Sequence, residues 1–408
     1  MRILLVTPMP PDRLAPGAVP PLLHAQLTGL ARRHAVTLVC VAGPDPAQLE
    51  AVARLRAAGF DVHAAERREP AGAARWRRRA RFARAWLLHG WPWRTVWYWE
   101  PQAQRILDRV LAEQPFDVIA VEDDAAAVYR LAARTPAVLT EHEVGRSRPS
   151  ATGRRLADLL LERDWRRWPA YQRAACAPFT LVQVFSARDR DRLVALDPGL
   201  AERVRITPFG TEVPPPADEP AEPDTLMFAG DYTHPPNVDA AIWLAREILP
   251  LIRRRRPDAR LRLIGIHAPP EVAALGGLDG VEVLGAVPDL APYLARAAVV
   301  MAPIRTGGGM RMKVLHAMAA GKAVVTTPLG TEGLRGDGAP LPLAVAAGAQ
   351  DLAAAAAGLL ADPCACAELG ARARAYVVEH HGPEAYARRL ERVYEEAVAR
   401  GPRAVGRA

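Results

Sequence analysis

Short apolar runs alternate with longer amphipathic stretches along the whole 408-residue chain. The short runs are bounded by glycine and proline and predict buried strands, whereas apolar residues spaced three to four apart predict helices. Regular alternation of the two favours βα units and parallel sheets. The predicted strands are Arg2–Thr7, Val36–Ala42, Asp61–Ala65, Asp117–Glu122, Ala137–Glu141, Leu181–Phe185, Val204–Pro208, Thr225–Ala229, Arg260–Gly265, Val281–Gly285, Val299–Pro303 and Ala323–Thr327.

The clearest break in this pattern is the segment PPPADEPAEPD at Pro214–Asp224. Proline and acidic residues without apolar periodicity are typical of a linker. We therefore predict an α/β protein with a Rossmann-like domain at residues 1–212, a Pro-rich linker at 213–224 and a second Rossmann-like domain at 225–383. An amphipathic helix at 384–408 would end the chain and pack back on the first domain or lie on the second. Two doubly wound domains of this kind would face each other across a cleft at the carboxyl ends of their strands.

Composition and charge narrow the choice of partner. The chain has 53 Lys and Arg against 45 Asp and Glu, a formal net charge of +8 that favours a phosphorylated ligand or an anionic membrane surface. Its apolar runs are all shorter than the ~18 residues of a membrane span, and the opening run is predicted to be a strand rather than a signal peptide. These features predict a cytoplasmic protein. Four scattered cysteines predict neither a disulfide framework nor a zinc site.

The segment PIRTGGGMRMKVLHAMAAGKAVVTTPLGTEGL at Pro303–Leu334 is the strongest candidate for chemistry. It places Gly307, Gly308 and Gly309 between a predicted strand and a predicted helix, followed by Arg311 and Lys313. Glycines let the backbone approach a ligand, and the exposed N–H groups of a helix start bind anions. The segment is therefore predicted to cradle phosphate, the alternative being a flexible turn without a ligand.

Several motifs carry a resemblance to a known family. They are FAGDYTHPPNVDAA at Phe228–Ala241, the run at Val283–Leu315 and AMAAGKAVVTTPLGTEGL at Ala317–Leu334, with a looser match at Gly17 and at LTEHEV, Leu139–Val144. With them the chain resembles the retaining glycosyltransferases of the GT-B fold in glycosyltransferase family four, the group 1 glycosyl transferases.

The resemblance implies an enzyme of hexosyltransferase type that transfers a sugar from a nucleotide-diphosphate sugar to an unknown acceptor. It implies no metal and no cofactor, because protein cations and a helix start neutralise the leaving diphosphate. The donor is expected to bind mainly to the second domain and the acceptor mainly to the first. The expected donor-binding residues are Gly17, Gly230, Arg305, Gly307, Gly308, Gly309, Arg311, Lys313, His316 and Glu332.

Two departures from the family pattern open an alternative. His316 stands where the family usually has a glutamate that accepts hydrogen bonds from the donor ribose, and Gly308 stands where it often has another acid. Asp231 lies in the segment where many relatives carry a diphosphate-binding arginine, so that role would fall to Arg305, Arg311 and Lys313. The alternative is a catalytically impaired protein that binds a sugar nucleotide or a protein partner. His316 itself is either a ribose ligand or a half-buried helix histidine without a ligand.

His142 is the candidate catalytic residue. In the resemblance it matches a histidine beside the transferred sugar, where it would position the sugar and stabilise polar groups near the reacting centre. Its neighbours Glu141 and Glu143 would tune its charge. The alternative is a histidine satisfied at the end of a strand. The acidic run Glu122–Asp124 also ends a predicted strand and is either part of the site or the cap of the next helix.

The segment Arg67–Trp99 combines arginines with six of the nine tryptophans. A basic, aromatic face suits peripheral contact with the inner face of a membrane. The alternative is that the tryptophans pack the first domain while the arginines are solvated. No nucleic-acid recognition module accompanies the charge, so nucleic acid is not predicted as a partner.

Overall fold

Two compact units form the chain. A computed structural model describes residues 1–15, 17–67, 72–132, 134–145, 155–216, 219–307, 311–335 and 339–403. The first unit contains Met1–Thr207 and Tyr386–Ala408, and the second contains Pro208–Ala385.

The first unit is built on a parallel sheet of seven strands in the order β3-β2-β1-β4-β5-β6-β7. The strands are β1 Arg2–Thr7, β2 Ala35–Ala42, β3 Asp61–Glu66, β4 Val118–Glu122, β5 Ala137–Thr140, β6 Leu181–Val184 and β7 Val204–Ile206. The helices are α1 Val19–Ala31, α2 Pro46–Ala57, α3 Ala73–Leu88, α4 Trp93–Tyr98, α5 Pro101–Glu113, α6 Arg155–Cys176 and α7 Ala187–Leu196.

The second unit has a parallel sheet of six strands in the order β10-β9-β8-β11-β12-β13. The strands are β8 Thr225–Ala229, β9 Arg260–Ile264, β10 Val281–Gly285, β11 Val299–Ala302, β12 Ala323–Thr326 and β13 Ala344–Val345. The helices are α8 Pro235–Trp243, α9 Leu249–Arg253, α10 Pro270–Ala273, α11 Ala291–Arg296, α12 Met312–Ala319, α13 Ala349–Ala361 and α14 Pro363–His380, and α15 Pro383–Arg400 then leads into the first unit.

The predicted fold class is confirmed. All twelve predicted strands are present, with ends that differ from the prediction by at most two residues. The short strand β13 was missed, because two residues are too few to show a period. The central strands read as continuous apolar runs since helices cover both faces of such sheets, as in β4, where every residue is buried.

Each sheet has a switch point where the strand order reverses. It lies between β1 and β4 in the first sheet and between β8 and β11 in the second. Open α/β sheets bind ligands outside the carboxyl ends of the strands at this point, because the loops there diverge and leave a crevice. The two switch points therefore indicate where to look for functional groups.

The end of the chain is a structural part of the first unit. Tyr386 and Tyr394 on α15 are fully buried. The hydroxyl oxygen of Tyr394 accepts a hydrogen bond from Gln26 on α1, and Glu391 lies 2.9 Å from the His34 ring. The last helix thus joins the core of this unit through both apolar and polar contacts.

Among the described helices, none is by itself long and apolar enough to cross a bilayer. By length and composition alone, the segments Ala349–Ala361 and Pro363–Arg400 would together be long and apolar enough to do so. The two segments are bent by 107° relative to each other.

Candidate functional site

At the switch point of the second sheet, two loops approach the first turn of α8 closely. A Cβ atom at Gly230, directly after β8, would lie 2.9 Å from the side chain of Asn237. A Cβ atom at Gly307, after β11, would lie 2.6 Å from the Pro236 ring, and Gly307 also has a φ of +96°. Both positions therefore require glycine. At Gly230 a side chain would lack space, and at Gly307 it would also be strained by the positive φ.

Arg311 joins the loops that follow β11 and β12. Its side chain is 7% exposed and donates hydrogen bonds to the carbonyl oxygens of Leu329, at 3.0 Å, and Gly307, at 3.3 Å. It also lies 3.3 Å from the carboxylate of Glu332. A guanidinium group donates from several fixed directions, which suits it to hold two loops together. The predicted residues Gly307, Arg311 and Glu332 thus lie together.

Lys313, in the first turn of α12, is a half-buried cation. Its ammonium nitrogen lies 4.5 Å from the centre of the Phe228 ring and donates a hydrogen bond to Asn237 Oδ1. Burial, and then the charge of Arg311, lowers the pKa of Lys313 to about 7. Near neutral pH this group can therefore take up a proton when an anion arrives.

His316 lies one turn further along α12. Burial lowers the pKa of this half-buried imidazole to about 4, so the ring is neutral at physiological pH. Its nitrogens make no hydrogen bond to the residues that the structure describes, whereas the neighbouring side chains of Leu315 and Met318 are buried in the core. A neutral imidazole can accept one hydrogen bond or donate one.

Arg305 is held on the side of α8. Its guanidinium donates two hydrogen bonds to the carboxylate of Asp239, at 3.1 and 2.6 Å, and lies 4.3 Å from the centre of the Trp243 ring. To contact a diphosphate it would have to leave this pair. Gly308 and Gly309 lie outside the described residues.

In the first unit, His142 and Glu122 meet at the carboxyl ends of β5 and β4. His142 Nε2 lies 2.9 Å from Glu122 Oε2, and both side chains are buried. The ring of His142 packs edge-on against Phe185. The partner of the predicted catalytic histidine is thus Glu122, while Glu141 bonds instead with Gln172.

Arg94 on α4 contacts the two acidic residues that follow Glu122. Its guanidinium donates to both carboxylate oxygens of Asp123 and, at 3.0 Å, to Asp124. Burial by itself would raise the pKa of Asp123, but the charge and hydrogen bonds of Arg94 hold that pKa well below its usual range. Asp123 also caps the short 3-10 turn Asp124–Ala126 from a positive φ of 72°.

Two other carboxyl groups in this cluster favour the protonated form. Burial, then the charges of Glu141 and Asp123, raises the pKa of Asp124 well above its usual range. Burial, then the charge of Asp123, raises the pKa of Glu141 to about 8. Because Arg94 is already paired with the ionised Asp123, a second ionised carboxylate here would lack a counter-ion.

Gly17, the remaining predicted residue, lies in the loop between β1 and α1 with a φ of +94°. The sequence analysis missed Asn237 and Arg94, which contact the charged groups directly. Asn237 lies in the motif Phe228–Ala241, which carries the family resemblance, so the sequence did mark its position as a candidate. The sequence contained no such sign for Arg94, because an arginine among many basic residues does not reveal which acidic residue it pairs with.

No three side chains of His, Cys, Asp or Glu are grouped as ligands of a metal ion in the parts of the chain that the structure describes. Metal independence stays a prediction.

Comparisons with known proteins agree with this architecture. Residues 223–362 match the family model described as glycosyl transferases group 1. HepE from Anabaena, solved with UDP and glucose, is similar with a TM-score of 0.62 and 14% identity, over 96% of this chain and 99% of HepE. Sucrose-phosphate synthase from Thermosynechococcus elongatus is similar with a TM-score of 0.62 and 18% identity, over 98% and 100% of the two chains.

TarM from S. aureus is similar with a TM-score of 0.55 and 12% identity. The similarity covers 72% of this chain but only 58% of the length of TarM. No curated protein matches the sequence significantly. Identities this low show the fold, which is GT-B. Since residues 223–362 match the group 1 model, the second unit contains a group 1 glycosyltransferase domain. Over these residues the resemblance to the group 1 glycosyl transferases is confirmed, and with it the predicted enzyme class, glycosyltransferase.

Proposed function

We propose that this protein is a retaining glycosyltransferase that transfers a sugar from a nucleoside-diphosphate sugar without a metal ion. The observation that carries the proposal is the pair of cations Arg311 and Lys313 at the start of α12, at the switch point of the second sheet. A leaving diphosphate develops negative charge, and cations already held in place stabilise it without reorganisation. Retention follows from the family resemblance.

Lys313 suits this role because its charge can respond to the ligand. With a pKa near 7, the free site holds the lysine partly neutral, so that part of the population buries no charge before the ligand binds. An approaching diphosphate favours the protonated form, and the ammonium group then donates to the phosphate. A neutral His316 beside it would accept or donate one hydrogen bond to the ribose.

The test is a thermal-shift panel of nucleoside diphosphates and their sugar conjugates, with magnesium or with a chelator. UDP comes first in the panel, because HepE was solved with it. We expect one diphosphate to raise the melting temperature equally with and without magnesium, and the matching nucleoside without phosphates to have no effect. A shift that needs magnesium, or an equal shift with the bare nucleoside, would contradict the proposal.

The identity of His316 supports one alternative function, in which the protein binds a sugar nucleotide but does not transfer the sugar. A neutral imidazole lacks the two acceptor oxygens of the glutamate that the family usually has here. Release of nucleoside diphosphate in the presence of acceptor candidates separates the two functions. The anomeric configuration of the product, read by proton NMR, tests retention.

We also propose that the first unit contacts an anionic membrane surface. The helix α3 carries six arginines and no acidic residue. Trp76 on this helix is 70% exposed, and Leu88 at its end is 71% exposed. Of the six tryptophans in Arg67–Trp99, Trp91 and Trp99 pack against each other at 5.3 Å, so only part of the set serves the core.

Helix α6 lies beside α3 and α4 and carries exposed leucines of its own. Its residue Asp164 accepts hydrogen bonds from the Trp86 indole at 3.1 Å and from the backbone N–H of Trp93 at 2.8 Å, so α6 adjoins the end of α3 and the start of α4. Leu156 and Leu159 in its first turns are more than 60% exposed. Exposed tryptophan and leucine beside arginine match the interfacial region of an anionic bilayer.

Sedimentation with lipid vesicles tests this contact. We expect the protein to pellet with vesicles that contain phosphatidylglycerol, to do so less as salt is raised, and to stay in solution with pure phosphatidylcholine. The double variant Trp76→Ser/Leu88→Ser should lose most of the binding, whereas Val378→Ser, which changes an exposed apolar residue on α14, should keep it. Equal binding by both variants, or concentration-dependent dimers that bind no vesicles, would refute the contact.

A further inference from the structure

Three side-chain donors converge on the buried carboxylate of Glu122. Gln26 Nε2 donates to Oε1 at 2.6 Å, and the Thr140 hydroxyl donates to the same oxygen at 3.0 Å. His142 Nε2 lies 2.9 Å from the other oxygen, Oε2. Glu122 is fully buried, and the other three side chains are at most 6% exposed. The carboxylate is therefore held by elements α1 and β5 as well as by its own strand.

This arrangement determines which ring nitrogen of His142 carries hydrogen. A carboxylate offers acceptors alone, so Nε2 must be the N–H that meets Glu122. In the neutral ring Nδ1 is then bare and can only accept a hydrogen bond. Nδ1 is buried and has no hydrogen-bond partner among the residues that the structure describes. A buried acceptor without a hydrogen-bond donor destabilises the folded protein. A ligand that donates a hydrogen bond to Nδ1 would remove this penalty.

Gln26 connects this pair to the end of the chain. Besides Glu122, its amide nitrogen lies 3.2 Å from the Tyr394 hydroxyl on α15. A carboxylate with partners on α1, on β5 and in the segment after β5 has little freedom to rotate, so the ring that it holds is fixed as well. The structure thus contains a histidine of defined tautomer rather than a freely turning one.

We propose that Glu122 is a positioning residue, which holds the Nε2–H of His142 so that Nδ1 accepts a hydrogen bond from a hydroxyl group of the bound carbohydrate. The inference rests on the proposed function, because the hydroxyl belongs to the sugar or to its acceptor. It assigns to Glu122 a role distinct from those of Asp123 and Asp124, whose carboxylates are engaged by Arg94.

The direct test is the tautomer of His142, read from long-range proton–nitrogen NMR spectra of the full chain labelled with nitrogen-15 histidine. The signals of His142 are assigned by their loss in a His142→Asn variant. We expect a protonated Nε2 and a bare Nδ1 in the wild type. In Glu122→Gln, Gln26 and Thr140 still need an acceptor, so the new amide should place its oxygen toward them and its NH2 toward His142. Nε2 must then be bare, and the tautomer should invert.

Kinetics provide the second measurement. With the donor that the thermal-shift panel identifies, Glu122→Gln should lower kcat by at least about tenfold, with a smaller change in KM, since the acceptor at Nδ1 is replaced by a donor. The matched control Glu113→Gln makes the same change at an exposed residue of α5, in the same unit, and should leave both the tautomer and kcat unchanged.

The outcomes separate this inference from the proposed function. A wild-type His142 with hydrogen on Nδ1 would overturn the inference whether or not the protein transfers sugar. An inverted tautomer in Glu122→Gln with unchanged kcat would overturn the role toward substrate. A wild type that responds to no nucleotide would overturn the proposed function, while the tautomer still decides how Glu122 and His142 interact.

Discussion

Replacing Lys313 with methionine is expected to weaken binding of the nucleoside diphosphate by about 10–100-fold, the equivalent of one charge-assisted hydrogen bond of ~1.5–3 kcal/mol. Methionine keeps the unbranched chain that packs on the Phe228 ring but removes the ammonium group. Isothermal titration calorimetry of the variant and the wild type measures the difference directly.

The same variant should be more stable than the wild type without nucleotide. The pKa of Lys313 is about 7 in the folded protein and 10.5 in its ordinary state, so the unfolded chain holds the proton more tightly. This group therefore makes the free energy of unfolding rise with pH between about 7 and 10.5, and it destabilises the fold below that range. Lys313→Met removes the cost, and the melting temperature at pH 7 should rise. Nucleotide binding by the wild type should weaken from about pH 6 to pH 8.5, since less of the lysine is protonated.

Lys322→Met is the matched control. Lys322 is also a half-buried lysine of the second unit whose pKa burial lowers, but it donates to the carbonyl oxygens of Ala295 and Ala297, before the start of β11. Its loss leaves those carbonyls without a donor, so this variant should be less stable yet bind nucleotide with unchanged affinity. Equal affinities for Lys313→Met and the wild type would exclude Lys313 from the donor site.

Replacing Arg94 with methionine is expected to destabilise the first unit by about 3–5 kcal/mol, because it leaves the buried Asp123 carboxylate without its counter-ion. The carboxylates of Asp123 and Asp124 are each 2% exposed, so water cannot replace the guanidinium. Chemical denaturation monitored by tryptophan fluorescence gives the change in the free energy of unfolding.

The matched control for this prediction is Arg205→Met. Arg205 also pairs with a carboxylate, Glu396 on α15, but both side chains are about a third exposed. A pair of this kind contributes about 0–1 kcal/mol, so the control should unfold almost as the wild type does. Similar losses for the two variants would show that the buried cluster is no more dependent on its arginine than a surface pair.

The dependence on pH adds a further check on Arg94. Because Arg94 holds the pKa of Asp123 below its unfolded value, the stability from this pair is present above about pH 4 and is lost as the pH falls through the folded pKa. The difference between Arg94→Met and the wild type should therefore shrink on acidification. The double variant Arg94→Met/Asp123→Asn should recover part of the loss, since no charge then stays buried alone.

Local pattern was sufficient to predict twelve of the thirteen strands that the structure describes. A strand of four or more buried residues leaves an uninterrupted apolar run between glycine, proline and polar residues, and such runs at β1, β4 and β11 are visible without any tertiary information. The cationic character of the segment after β11 was also local, because Gly307, Arg311 and Lys313 are close in sequence. The strand β13 could not be predicted in this way, because its two residues are too few to form a pattern.

The partners of the charged residues were decided by tertiary structure alone. Lys313 meets Asn237 across 76 residues, and Glu122 meets Gln26 across 96. No periodicity specifies such pairs, because they depend on how the strands are ordered in each sheet. The sequence by itself thus determined the α/β fold, its parallel strands and the cationic loop. Only the folded structure decided that Arg305 pairs with Asp239, that His142 pairs with Glu122, and that burial leaves Lys313 poised near neutral pH, because pairing and burial arise from residues distant in the chain.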